Sequence, residues 1–274
     1  MAQSYQLFTS CLWQTTSAVV STEQRLYLFD PAYFPHEIEA IADYVQRERN
    51  GRELVLVLTH GDWDHVVGVG KFPDATIIAQ KEILTGGRIE KKLNKAKRFD
   101  GSYYVVRSYE VGMPKFTKLV EDAQDWQEVF FLPVPGHTPD QMATLFREQK
   151  LLVVGDMLSN LEFPFIDDSS AYLDSLEKIE QLVLQGKVEE VIPGHGVPAK
   201  GREEILHRIE RDRQYLLDAR AVVFEGITNN VEEDVRREQF SQLTYDGVSI
   251  DEHLHSAHDQ NRDQLCKEAL SPKG

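Results

Sequence analysis

The chain has 274 residues, 41% hydrophobic and 27% charged, an ordinary globular composition with length for one large domain or two small ones. A net charge of −15 argues against indiscriminate binding to nucleic acid or anionic membranes, and no apolar run approaches the roughly 20 residues that span a bilayer. Two distant cysteines, Cys11 and Cys266, form no metal or redox spacing, and the first fourteen residues lack the charged start and apolar core of a secretory signal, so the expectation is a cytoplasmic protein with free thiols.

In chain order, short β-rich runs at 17–20 and 25–29 read as strands, the second stopped by Asp30-Pro31. Pro35 opens a helix whose apolar residues Ile38, Ile41, Ala42 and Val45 recur at helical spacing up to Asn50-Gly51. The run 54–58 is a buried strand, and 75–79 is another. The segment 81–118 differs in character: ten basic residues against four acidic ones, with a helix expected near 89–99, mark it as a basic insertion or lid. Strands follow at 128–132 and 150–154, then a helix at 169–185 with Leu173, Leu176, Ile179, Leu182 and Val183 on one face, and a strand at 188–192. Beyond Gly201 the chain reads as mostly helix, with Ile205, Ile209, Leu216 and Leu217 expected on an inner face. That helix is equally suited to cover the sheets or to meet a partner subunit, so a homodimer stays open.

The sequence Thr59-His60-Gly61-Asp62-Trp63-Asp64-His65 directly follows the buried run 54–58. Two imidazoles and two carboxylates in six residues, left uncompensated at such a place, cost several kcal/mol per group. A bound divalent cation resolves the problem, since carboxylates need its charge and imidazoles its Lewis acidity. Three later strands also end in a candidate ligand, His137, Asp156 and His195, each beside glycine. Strand ends are where a rigid sheet lets loops converge on a site. Trp63 reads as packing beside the motif, His36 and His207 as surface residues, and His253, His255 and His258 as a solvated acidic-histidine tail. Tyr103, Tyr104 and Tyr109 in the basic segment are left between packing and stacking on a substrate.

Taken together, the motif at 59–65, Gly136-His137-Thr138-Pro139-Asp140, Gly155-Asp156 and Pro193-Gly194-His195-Gly196 resemble the metallo-β-lactamase superfamily, in its order and spacing over about residues 14–200. The resemblance implies an α/β (α+β) fold, a four-layer αββα sandwich with a metal site on one edge. It divides the chain into a core domain at 1–200, carrying the insertion at 81–118, and a helical extension at 201–274 packed on the same domain. Carried over by position, His60 and His137 look like ligands of a first divalent ion and Asp64, His65 and His195 of a second, with Asp156 bridging. Asp62 stands where the family usually has histidine. As a ligand it is a harder donor, tilting the expected pair of zinc ions toward Mn²⁺ or Fe²⁺; otherwise the first position is weak or empty.

The resemblance further implies a hydrolase in which a hydroxide bridging the metals attacks an ester-type bond, a thioester, lactone or carboxylic ester, with Asp64 and Asp156 as catalytic residues; the basic segment 81–118, if it folds over the site, favours a small anionic substrate. A phosphodiesterase or nuclease is the alternative on the same scaffold, because nuclease-like domains of DNA-uptake channels share the HxDxDH pattern. Outside the hydrolases stand a diiron oxidoreductase and an inactive ligand-binding protein; the former uses HxExDH but carries a flavodoxin domain, for which the residues after His195 are too few and too helical.

Overall fold

The apolar and β-branched runs pair into two six-stranded sheets in the computed structural model, which describes residues 5–271. The first sheet contains, in spatial as in chain order, β1 (Tyr5–Thr9), β2 (Thr16–Ser21), β3 (Arg25–Phe29), β4 (Glu53–Val57), β5 (Thr76–Gln80) and β6 (Lys118–Val120). The first three are antiparallel and the rest parallel. Helix α1 (Pro35–Arg49) makes the crossover from β3 to β4. Its start is set by Pro35 in the first turn and by the Glu37 carboxylate, which accepts from the backbone N–H groups of Tyr33 and Phe34. The one-turn α2 (Trp63–Val66) holds the metal motif, and α3 (Arg88–Ser102) is the helix of the basic insertion.

The second sheet is formed by β7 (Gln124–Trp126), β8 (Val129–Pro133), β9 (Met142–Phe146), β10 (Leu151–Gly155), β11 (Glu190–Pro193) and β12 (Ala199–Lys200). Only β10 and β11 are parallel, joined through α4 (Ser169–Leu184). Strand β9 has no counterpart in the sequence reading. All five of its residues are buried, as in β10, but Met142-Ala143-Thr144-Leu145-Phe146 holds a single β-branched residue and neither alternates nor forms an unbroken apolar run.

The layers follow from which face each side chain buries. On β4, Val55 and Val57 join Tyr27, Phe29, Phe131 and Phe146 between the sheets, while Leu54, Leu56 and Leu58 pack outward under α1 and α3. Burial on both faces is why this strand is an unbroken apolar run. Leu176, Ile179 and Val183 of α4 cover the other sheet with Ile205, Ile209 and Leu216 of α5 (Arg202–Arg220). Each such side chain contributes about 1.5–3 kcal/mol on burial. The result is the αββα sandwich expected. Leu217, expected on the inner face of α5, is instead exposed.

After α5 come a π-helical turn at 221–225, α6 (Gly226–Thr228), α7 (Glu233–Ser241), a hairpin of β13 (Thr244–Tyr245) and β14 (Val248–Ser249), and α8 (His255–Leu270). His253 and His255 are exposed, as expected of a solvated histidine tail, but His258 corrects that reading. His258 is buried, donates from Nε2 to the Phe240 carbonyl and accepts the Tyr215 hydroxyl at Nδ1 (2.9 Å). His36 and His207 are exposed, as expected, and so are Tyr103 and Tyr104, whereas Tyr109 packs beside Arg107. Trp63 is buried between Trp13, Tyr33 and Phe99.

Candidate metal centre

The loops after β4, β8, β10 and β11 deliver His60, His137, Asp156 and His195 to one edge of the sandwich, and α2 adds Asp64 and His65. Asp156 lies at the centre. Its Oδ2 is 3.4 Å from Nε2 of His60, 3.4 Å from that of His137 and 3.3 Å from that of His195, and its Oδ1 is 3.2 Å from Nε2 of His65. Gly194 makes this approach possible, since a Cβ there would stand 2.1 Å from Asp156 Oδ1. Gly136, at φ +140°, likewise has no room for a side chain against the backbone of Tyr172.

Each of the four imidazoles is anchored through the opposite nitrogen. Nδ1 of His137 meets the Phe165 carbonyl at 3.1 Å and that of His195 the Trp13 carbonyl at 3.0 Å. His65 Nδ1 lies 3.0 Å from Asp30 Oδ2, and His60 Nδ1 3.0 Å from Thr59 Oγ1, whose proton already goes to Asp30. All four partners accept, so every Nδ1 donates. In the neutral ring that leaves a lone pair on Nε2 aimed at the centre, the orientation of a metal-ligating histidine. Sequence reasoning missed Asp30, which accepts from the Thr59 N–H, the Thr59 hydroxyl and His65; the Asp-Pro at 30–31 drew notice only as a strand stop.

Two separate donor sets result, linked by a third. His60, Asp62 and His137 form one, Asp64, His65 and His195 the other, and Asp156 shares a third grouping with His60 and His65, the ligand atoms of each lying within 4.8 Å of one another. His60 Nε2, His137 Nε2 and Asp156 Oδ1 are buried without a hydrogen-bond partner, an expensive arrangement unless a cation takes them. The residues therefore fit divalent metal. Asp62 is not idle: Lys92 of α3 reaches its Oδ1 at 2.6 Å, so the basic segment stands at the rim of the site. Nearby, Lys95 lies over Trp63, and Arg88 pairs with Asp167.

The electrostatics show what a cation displaces. Burial opposes charge on the imidazoles and prevails at His137, whose pKa is lowered, but Asp156 overrides it at His65, held well above the ordinary range, and at His195, held up to about 10. Asp156, also against burial, is kept well below the carboxylate range by His65, His195 and His60. Asp62, against burial, is drawn down to about 2 by His60, Lys92 and His137. Glu162 is a further group the sequence did not reveal: burial, only partly offset by His195, pushes it up to about 7, and it lines a small internal pocket with Asp156.

The chain is 28% identical over 187 residues to the Beta-lactamase-like protein 2 homolog of Caenorhabditis elegans, covering 65% of this chain and 57% of that protein. It is 24% identical over 157 residues to the human Acyl-coenzyme A thioesterase MBLAC2, covering 53% and 56%. The chain thus spans little more than half the length of these curated relatives. Among solved structures, TTHA1623 in a di-iron-bound form superposes with a TM-score of 0.53 at 21% identity, over 71% of this chain and 94% of the other. The Metallo-beta-lactamase superfamily profile matches residues 12–195, the stretch that holds both sheets' parallel strands and every donor around Asp156, and the chain belongs to that superfamily.

Proposed function

We propose that this protein is a metal-dependent hydrolase that cleaves an ester-type bond, foremost a thioester, in a small anionic substrate. The observation that carries the reading is the convergence of four anchored imidazoles on Asp156, with Asp62 and Asp64 beside them. Two bound divalent cations, zinc or, with the harder Asp62 donor, manganese or iron, supply Lewis acidity and a water nucleophile active near neutral pH. His60, Asp62 and His137 would hold one ion and Asp64, His65 and His195 the other, with Asp156 between the two sets. Because every imidazole is already oriented, loading requires little reorganisation, which favours preorganised stabilisation of negative charge at the reacting carbonyl. Asp64, which accepts from the Thr15 hydroxyl at 3.3 Å, is positioned to hold the proton of the attacking water.

Two features support the substrate class. Lys92 and Lys95 bring positive charge to the rim of an otherwise acidic protein, and the human relative is named as an acyl-coenzyme A thioesterase. The same cations suit a phosphate diester, the second reading. Metal-loaded protein assayed on an acyl-coenzyme A, a lactone, bis(p-nitrophenyl) phosphate and a short RNA separates these. Highest kcat/KM on the thioester is expected, with Asp156→Ala lowering it by at least about 10²–10³-fold. Preference for the phosphate diester overturns the ester reading, and a full rate in Asp156→Ala overturns the site.

A further inference from the structure

A cleft of about 670 Å³ opens among the C-terminal helices and shares no lining residue with the metal centre. One wall is apolar, formed by Val223, Ile227 and Val231. Val223 belongs to the π-helical turn at 221–225, an irregularity that recurs at functional sites. Arg236, Arg262 and Lys267 also line it, with Glu233, Asp263 and Cys266, and Cys266 is within electrostatic reach of both arginines and both carboxylates. Arg262 is satisfied by Asp259 at 2.7 Å and Asp263 at 2.8 Å. Arg236 is not: among the described residues its guanidinium makes no ion pair or hydrogen bond, and its Nε is buried without a partner. Its position is built in, because the stem lies where a side chain at Gly226 would be, 2.6 Å from the Cβ position. A partly buried, unpartnered guanidinium is a standing cost that a carboxylate removes by a bidentate pair. Among the lining charges, Glu233 and Asp263 against Arg236, Arg262 and Lys267, cations prevail by one, and the volume and the mix of apolar and charged lining are those of a small-molecule site for an anion.

We propose that this cleft is a second binding site, taking an amphipathic carboxylate with its alkyl chain on Val223, Ile227 and Val231 and its carboxylate on Arg236. Cys266 provides a local reporter. In a Cys11→Ser background, decanoate is expected to slow alkylation of Cys266 by N-ethylmaleimide about tenfold at saturation, and decanol far less, since the neutral head forgoes the charged pair. Arg236→Met should abolish the protection, while Arg236→Lys, which keeps the cation, should retain part of it and so exclude misfolding as the cause. Unprotected Cys266, or equal protection by decanoate in Arg236→Met, overturns the proposal. So does protection that rises with protein concentration without decanoate and accompanies a dimer in sedimentation, since a second copy would then fill the cleft.

Discussion

The tautomers of four histidines decide what the site binds. Carbonyls at Phe165 and Trp13 cannot donate, so His137 and His195 must present Nε2 lone pairs when neutral. Without metal, however, Asp156 keeps His65 and His195 protonated, each with a folded pKa above the ordinary value. Protons and metal therefore compete. Zinc affinity, measured by chelator competition, is expected to rise between about pH 6 and 9, with proton release seen calorimetrically in buffers of different ionisation enthalpy. A pH-independent affinity would contradict the protonated ring at His195. Asp30→Ala removes the acceptor that fixes both Thr59 and His65, and should weaken metal binding about 10–100-fold without removing a donor around Asp156. Elemental analysis of Asp62→Ala against the parent tests the first position, with a fall from two ions to one expected.

At the scale of elements, the loop after β10 is held from the C-terminal side. Asn261 of α8 accepts from Ile166 N–H at 2.8 Å and donates to the Pro164 carbonyl at 2.7 Å, on either side of the Phe165 carbonyl that orients His137. Asn261→Ala leaves these buried groups unpaired, so a stability loss of about 1–3 kcal/mol is expected. Weaker metal binding at His60, Asp62 and His137 should accompany it, with the position at His195 unchanged. Helix α3 also acts at the rim, through Lys92 on Asp62 and Arg88 on Asp167. Lys92→Met should raise KM for an acyl-coenzyme A well beyond any change seen with a neutral ester, which reports only the altered surroundings of Asp62; equal effects on both substrates would remove α3 from substrate recognition.

For the whole molecule, one cluster joins Leu176 and Ile179 to Ile209, Leu216, Phe240 and Leu265, so the segment after residue 200 shares its core with the second sheet. We propose a single cooperative unit. Asp212 of α5 ties it further, accepting from Leu158 N–H at 3.1 Å and from the Tyr245 hydroxyl. Burial pushes Asp212 up to about 6 in the folded chain, above its unfolded value. Its contribution to stability is therefore fully present below about pH 4 and declines as pH rises toward 6. In denaturant titrations of metal-loaded protein, the stability of the parent relative to Asp212→Asn should fall by about 2–4 kcal/mol across that window. A constant difference would show that Asp212 does not titrate there.

The sequence by itself determined the scaffold and the donors. The patterns at 25–29, 35–50, 54–58 and 169–185 are local, and the ligand types at 60–65, 137, 156 and 195 sit in short motifs beside glycines, although what crowds Gly194 and Gly136, Asp156 and Tyr172, comes from elsewhere in the chain. What only the tertiary structure decided depends on distance in space. Asp30 meets His65 across 35 positions and Asn261 meets Ile166 across 95, pairings that no periodicity encodes. Strand β9 was hidden because Met142-Ala143-Thr144-Leu145-Phe146 neither alternates nor forms an unbroken apolar run, and His258 because its partners Tyr215 and Phe240 come from other helices. Lys92 read as one charge in a basic run until the fold set its Nζ against Asp62. A side chain's chemistry is written in the chain, but its partner is chosen by packing, which sums over residues far apart.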